Sequence, residues 1–298
     1  MSETIDGESV AADVRADVAE CVETLREEGV VPGLATVLMK ADPASETYVS
    51  MKQRDCEEVG IEGIHVEIDA DAPAEELYET IDDLNERDDV HGILVQMPVP
   101  DHVNKRKVLR RIAPEKDVDG FHPENVGRLV AGDARFKPCT PHGIQKLLAA
   151  YDVETAGADA VVVGRSDIVG KPMANLLLQK APQGNATVTV CHSRTENLAE
   201  KTRNADVVVA AAGIPEFIDG DMIAEGATVI DVGINRVEVE GEGDETELVG
   251  DVDYESAKGV AGKITPVPGG VGPMTRAMLL YNTVKAAGEQ GGVDVELP

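Results

Sequence analysis

Short apolar runs alternate with stretches of helical periodicity along almost the whole chain, and that alternation restricts the fold more than any other feature. The runs fall at 34–39, 64–68, 90–96, 158–163, 186–191, 206–212 and 227–231. Between them, apolar residues recur three and four apart, as in Val10, Val14, Val18, Cys21, Val22 and Leu25 ahead of Gly29, the pattern of an amphipathic helix. Further helices are expected from Pro43 to near Gly60, then at 72–86, 103–112, 140–151 and 273–287, with 288–298 fraying. Strands joined by helix-length crossovers pair in parallel. The expectation is an α/β chain with parallel sheets and a domain border between Lys137 and Thr140. No repeat of 20–50 residues is visible in the 298.

Charge is the second constraint. Asp and Glu number 56 against 27 Lys and Arg, a net charge of −29. That balance argues against nucleic acid or an anionic membrane as partner. The acids are spread through periodic sequence, which points to an acidic solvated surface and a halophilic source. With no Trp and only 3 Phe, the core has to be Val, Ile, Leu and Ala. Cys21, Cys56, Cys139 and Cys191 form no CxxC pair and no His spacing suits zinc, so no metal is expected. The polar start, MSETIDGES, lacks a secretory leader pattern, and no apolar run reaches the ~20 residues that span a bilayer. A cytoplasmic protein with reduced thiols is expected.

Candidate chemistry gathers after the strand ends. Asp42 and Pro43 read as a helix start, a capping carboxylate followed by a residue that needs no amide donor. Tyr48 and Lys52, four apart, share a helix face. A phenol and an amine so placed can handle protons, though a solvated surface pair has the same spacing. The run at 90–96 ends in Gln96-Met97-Pro98. Lys105, Arg106, Lys107, Arg110 and Arg111 read either as a landing site for an anionic substrate tail or as a solvated face paired with nearby acids. The turn-rich stretch 114–123 holds Asp117 and Asp119, either functional or Asx-turn residues.

In the second half, the run at 158–163 leads straight into Gly164-Arg165-Ser166-Asp167-Ile168-Val169-Gly170. Strand, glycine-rich turn, helix is the order a phosphate-binding turn needs, and also that of a generic tight βα turn. Ser166 replaces the middle glycine of a regular GxGxxG. The run at 186–191 ends in His192-Ser193-Arg194-Thr195, without the carboxylate that holds the ribose 2′-hydroxyl in NAD sites. Hydroxyls and arginines suit a 2′-phosphate, so NADP is expected. Glycine turns at 211–213 and 232–235 follow the next two runs, and 236–249 reads as an acidic surface hairpin. In the loop at 264–275, Gly269 and Gly270 let the backbone approach a ligand closely. His65 and His192 read as structural. There is no Ser-His-Asp elbow and no P-loop lysine motif.

Six blocks in order resemble the bifunctional methylenetetrahydrofolate dehydrogenase/methenyltetrahydrofolate cyclohydrolase family over nearly the whole chain. They are Pro43-Ala44-Ser45 with Tyr48 and Lys52, then 92–98, 114–120, 164–172, 231–235 and 265–275. One departure is Met39-Lys40, where the family usually has Val-Gly. The resemblance implies a folate-binding catalytic domain at 1–139, completed by a helix at 274–298, and a Rossmann-like NADP domain at 140–273. It implies Lys52, Tyr48, Gln96 and Asp119 as catalytic residues, with Val95, Met97, Pro98, Pro268, Gly269 and Gly270 also at the folate site. NADP is expected against Gly164, Arg165, Ser166, Ile168, Val169, Gly170, Ser193, Arg194, Ala212, Gly213, Gly233 and Ile234. The implied activities are NADP-dependent oxidation of 5,10-methylenetetrahydrofolate and hydrolysis of the methenyl product, in a homodimer joined through the NADP domain. Lys52, oriented by Gln96, is expected to carry protons and to be largely neutral when it acts. The alternatives are an NADP oxidoreductase of a non-folate substrate (shikimate- or amino-acid-dehydrogenase-like), a dehydrogenase-only member, and a non-enzymatic NADP-binding module.

Overall fold

The computed structural model describes residues 2–39, 43–238 and 246–297, with the backbone alone at 43–48. The chain divides into two compact units, Met1–Ala11 with Thr140–Thr275, and Ala12–Cys139 with Arg276–Pro298. Each division falls within a helix.

In the second of these units three parallel strands lie in the order Glu62–Ile68, Gly33–Met39, Gly92–Val95. All seven residues of the central strand are buried, which is why its sequence is a continuous apolar run rather than an alternation. Helix Ala74–Glu86 adds Leu77, Tyr78, Ile81 and Leu84 to the core that Val37, Ile93 and Val95 supply from the sheet. Each such side chain contributes about 1.5–3 kcal/mol on full burial. Helix Pro43–Val59 follows the central strand and buries Val49, Cys56 and Val59. Lys40 and the expected cap Asp42 lie outside the described residues.

Three elements differ from expectation here. The helix expected at 103–112 is only Lys105–Leu109, started by Asn104, whose side chain accepts from the Lys107 amide. Helix Pro123–Ala131 was not expected, although its signals are local: the His122 ring accepts from the Glu124 amide, Pro123 opens the first turn and left-handed Gly132 closes it. The last helix, Val271–Gly291, outruns its expected end, and the tail beyond it is held rather than frayed. The Val293 amide donates to Gly288 O, and the Cys21 thiol to Glu296 O. Gly288 has no side chain, so Val295 lies against the helix.

The other unit is a six-stranded parallel sheet in the order Glu3–Thr4, Lys263–Ile264, Thr228–Asp231, Val207–Ala210, Asp159–Val163, Thr187–Cys191. Residues 1–11 were expected with the first domain. They belong here because Glu3–Thr4 pairs with Lys263–Ile264, a strand too short for periodicity to reveal. Asp159–Val163 lies between the strand that follows it in sequence and the next one after that. The order therefore reverses at this strand, and ligands of such sheets bind beyond the carboxyl ends at that point. Asn235–Glu238 and Thr246–Val249 form an antiparallel hairpin, with 239–245 outside the described residues. Among the described residues no helix is long and apolar enough to cross a membrane, and no group of His, Cys, Asp and Glu could hold a metal ion. All four cysteines are buried and unbridged.

Candidate functional site

Lys52 Nζ donates to Gln96 Oε1 at 2.9 Å. Gln96 is fixed in turn, its amide donating to Val37 O and its side-chain Nε2 to Met97 O, each at 2.9 Å. It stands just past Gly92–Val95, between buried Val95 and the cis Met97–Pro98 bond. Asp119 comes from the following loop, electrostatically coupled to Lys52 and to Cys139, whose thiol donates to Val118 O at 3.5 Å. Both residues keep part of their surface open, but their charged ends are surrounded by protein. Burial pushes the Lys52 amine below the ordinary lysine range, with Asp119 opposing. Burial likewise pushes the Asp119 carboxyl up, with Lys52 opposing. Such a pair titrates as a unit. An amine held this way gives up its proton more readily than an ordinary lysine. The Cys139 thiol, raised by burial, stays protonated. Tyr48 shares the helix, one turn before Lys52, but its side chain lies outside the described residues.

Both flanks of Asp119 are tied down. Lys116 Nζ donates to Asn85 O and Arg87 O at 2.8 and 2.7 Å, capping helix Ala74–Glu86. Val118 O accepts from Asn282 Nδ2 at 2.7 Å. Asp117 is the Asx-turn residue of the pair. Its carboxylate accepts from the Phe121 and His122 amides and from Asn125 Nδ2, at 3.2, 2.7 and 2.8 Å. Asp117→Ala leaves those donors unmet and is expected to lose about 2–3 kcal/mol in urea unfolding.

Burial outweighs the donors and pushes the Asp117 carboxyl up from 3.8 to about 7. The folded state therefore holds a proton that the unfolded state has released, and this group's contribution falls as pH rises from about 4 to about 7. The urea midpoint of the wild type should drop across that window more steeply than that of Asp117→Asn, which cannot titrate. Equal slopes would remove Asp117 as the cause.

Two of the five basic residues at 105–111 are paired. Arg111 binds Asp82 through both Nε and Nη2, and Lys107 Nζ lies 3.8 Å from the Tyr78 ring centre. Lys105, Arg106 and Arg110 are exposed.

In the six-stranded unit a cavity of about 390 Å³ opens beyond Asp159–Val163 and Val207–Ala210. Gly164, Arg165, Ser166, Ser193 and Ala212 line it, as does Thr195, the second hydroxyl of that strand end, together with His192, Ile214 and Phe217, which the sequence did not single out as ligand contacts. Gly164 has φ +137°, and a Cβ there would lie 2.1 Å from Ala211 O, so only glycine fits. Ser166 Oγ accepts from the amides of Val169 and Gly170 at 3.1 and 3.3 Å, capping the helix Gly170–Leu178. Those two amides are thus occupied, and an anion at this turn has to be met by other groups. Thr195 Oγ1 accepts from the His192 amide at 2.8 Å and His192 Nδ1 from the Arg194 amide at 3.2 Å, a tight turn that leaves Ser193 and Arg194 exposed. Ile168, Gly213 and Ile234 are exposed nearby in sequence, whereas Val169, Gly170 and Gly233 are buried. Pro268, Gly269 and Gly270 belong to this same unit, where Gly269 O accepts from the Gly7 amide at 2.9 Å. Lys52, Gln96 and Asp119 belong to the other.

A parallel sheet with a glycine-edged cavity at its order reversal, and a second unit built around a desolvated amine, define a nucleotide-binding α/β enzyme. The sequence matches the catalytic domain of tetrahydrofolate dehydrogenase/cyclohydrolase over residues 5–119 and the NAD(P)-binding domain of the same enzymes over 138–291. The chain belongs to the tetrahydrofolate dehydrogenase/cyclohydrolase family. It is 74% identical over 298 residues, all of both chains, to bifunctional protein FolD 1 of Haloarcula marismortui, a haloarchaeal relative in keeping with the acidic surface. Among solved structures, the bifunctional FolD enzyme of Campylobacter jejuni is similar at TM-score 0.91 and 46% identity, covering 97% of this chain and 99% of that one. The methylenetetrahydrofolate dehydrogenase-cyclohydrolase of Trypanosoma brucei, complexed with NADP cofactor and inhibitor, is similar at 0.91 and 40%, covering 97% and 98%.

Proposed function

We propose that this chain oxidises 5,10-methylenetetrahydrofolate to the methenyl form with NADP, and hydrolyses that product to 10-formyltetrahydrofolate. The observation that carries the reading is the Lys52 amine, desolvated, held 2.9 Å from Gln96 Oε1 and coupled to Asp119.

The Gly164 cradle, which a Cβ would fill, and the cavity beyond it suit a dinucleotide. Arg165, Ser166, Ser193 and Arg194 hold its phosphates, the 2′-phosphate included. Ala212, Gly213, Gly233 and Ile234 border it, with Ile168, Val169 and Gly170 shaping the turn. When bound, NADP supplies the acceptor for the hydride that leaves the methylene bridge. Asp119 hydrogen-bonds the pterin edge, Tyr48 packs against the substrate, and Val95, Met97 and Pro98 form a wall. Positioning supplies much of the lowering of the dehydrogenation barrier.

For hydrolysis, neutral Lys52 takes a proton from water as the water oxygen bonds to the bridging carbon. The bond from that carbon to N5 then breaks, N5 takes the proton back from the lysine ammonium, and the hydroxyl proton leaves to solvent. A neutral amine also avoids repelling the cationic methenyl group. Gln96 keeps the amine aimed. The protein works in the cytoplasm as a homodimer joined through the nucleotide unit, whose edge strand Thr187–Cys191 leaves Val190 exposed.

The test follows methenyl absorbance with NADP and then NAD in high salt. Turnover should favour NADP, and Arg194→Ala should cut that preference by about ten-fold, the effect of one lost charge-assisted contact. No methenyl product with either nucleotide would sink the reading, and equal rates would sink the 2′-phosphate assignment.

A further inference from the structure

Asp251 has no exposed surface, and its carboxylate is saturated by donors from two turns. Oδ2 accepts from the amides of Ala212 and Gly213 at 2.6 and 2.8 Å. Oδ1 accepts from the Ile214 amide and from Asn235 Nδ2, both at 3.0 Å. The Asp251 amide donates to Asp231 Oδ1, which also accepts from the Gly233 amide, each at 2.9 Å. One side chain therefore gathers three successive amides of the turn after Val207–Ala210 and links it to the turn after Thr228–Asp231. Three converging amides form an anion-binding concavity, and here an internal carboxylate fills it. Core packing anchors this connection at Ala212 and Ile218, but between them Ile214 and Phe217 are 48% and 41% exposed, so the shape at 212–214 leans on the carboxylate. Ala212 and Ile214 line the cavity, so the carboxylate stands directly behind its wall.

We propose that Asp251 is a positioning residue for the dinucleotide, holding turns 212–214 and 233–235 in the shape the cofactor meets. The proposal rests on the reading that these turns border NADP. Asp251 itself touches no cofactor. Its effect is on affinity, and the amine site in the other unit does not depend on it.

The experiment measures NADP KM, kcat at saturating NADP, cyclohydrolase rate without nucleotide, and thermal midpoint, all in high salt on the full chain. Asp251→Asn keeps the shape but loses one acceptor oxygen, leaving two donors unmet. NADP KM should rise about ten-fold or more, the factor expected for an unmet buried donor, with kcat and the cyclohydrolase rate unchanged. An unchanged KM overturns the proposal, as does a parallel fall of both activities with the midpoint, which marks a purely structural role. Asn235→Ala keeps the carboxylate with its three amide donors and removes the side chain that donates to Asp251 Oδ1 and, at 3.2 Å, to Gly250 O. It should raise KM less, and if Asp251→Asn fails to fold, an unchanged KM in Asn235→Ala overturns the proposal alone. Arg194→Ala serves as the control, since failure of that variant to change NADP KM counts against the pocket reading itself, whatever Asp251 does.

Discussion

Lys52→Met is expected to abolish hydrolysis of methenyltetrahydrofolate and to leave folate binding in place. Methionine keeps the unbranched apolar stem that runs through the core side of helix Pro43–Val59, and removes only the amine that meets Gln96 Oε1 at 2.9 Å. A positioned proton carrier contributes roughly 10²–10⁴-fold, and the loss should be at least that large because, among the described residues, no second amine is coupled to Asp119. Lys52→Arg should be nearly as inactive, since a guanidinium stays protonated and cannot take a proton from water. Folate affinity, followed by equilibrium dialysis, should change little in Lys52→Met. A wild-type hydrolysis rate in that variant would end the assignment of the lysine as proton carrier.

Asp119→Ala should behave differently and lose both activities. On the proposal that its carboxylate hydrogen-bonds the pterin edge, a contact dehydrogenation and hydrolysis share, KM for both folate substrates should rise. Hydrogen bonds to a charged group are worth about 1.5–3 kcal/mol, or roughly 10–100-fold. The substitution also removes the partner that opposes the burial of Lys52 and holds the amine's affinity for protons up. Any residual hydrolysis should therefore reach its plateau at lower pH than in the wild type. If only one activity falls, or the pH profile moves upward, the shared contact is wrong. Run together, the two variants separate proton transfer from substrate holding, which neither does alone.

Much of the fold is legible in local sequence. The continuous apolar run at 34–39 marks a strand buried on both faces, and Gly33–Met39 is buried throughout. Gly164 declares a turn that no side chain fits, and its neighbours contain the donors of the cavity. Errors cluster where the signal is short or depends on distant partners. The two-residue strand Glu3–Thr4 has no period to read. The tail at 293–297 looks frayed by composition but finds Gly288 and Cys21, contacts that no local pattern encodes. Asn282 is similar: its amide reaches Val118 O across 164 residues of sequence to brace the Asp119 loop.

By itself the sequence determined the alternation of strands and helices, the glycine turns, the strand end that carries Ser193, Arg194 and Thr195 in place of a carboxylate, and the acidic surface. These follow from side-chain period, backbone sterics and charge, which act over a few residues. Spacing left Asp117 and Asp119 open and the family resemblance pointed to Asp119; the tertiary structure supplies the physical difference between the two acids. Asp117 spends its carboxylate on three donors of its own loop, while Asp119 is left to Lys52 and Cys139. It also decided that Lys52 is desolvated rather than a surface pair, and that Asp251 gathers two turns. Burial and hydrogen-bond partnership depend on what the remote chain brings alongside, and spacing along the sequence carries no record of it.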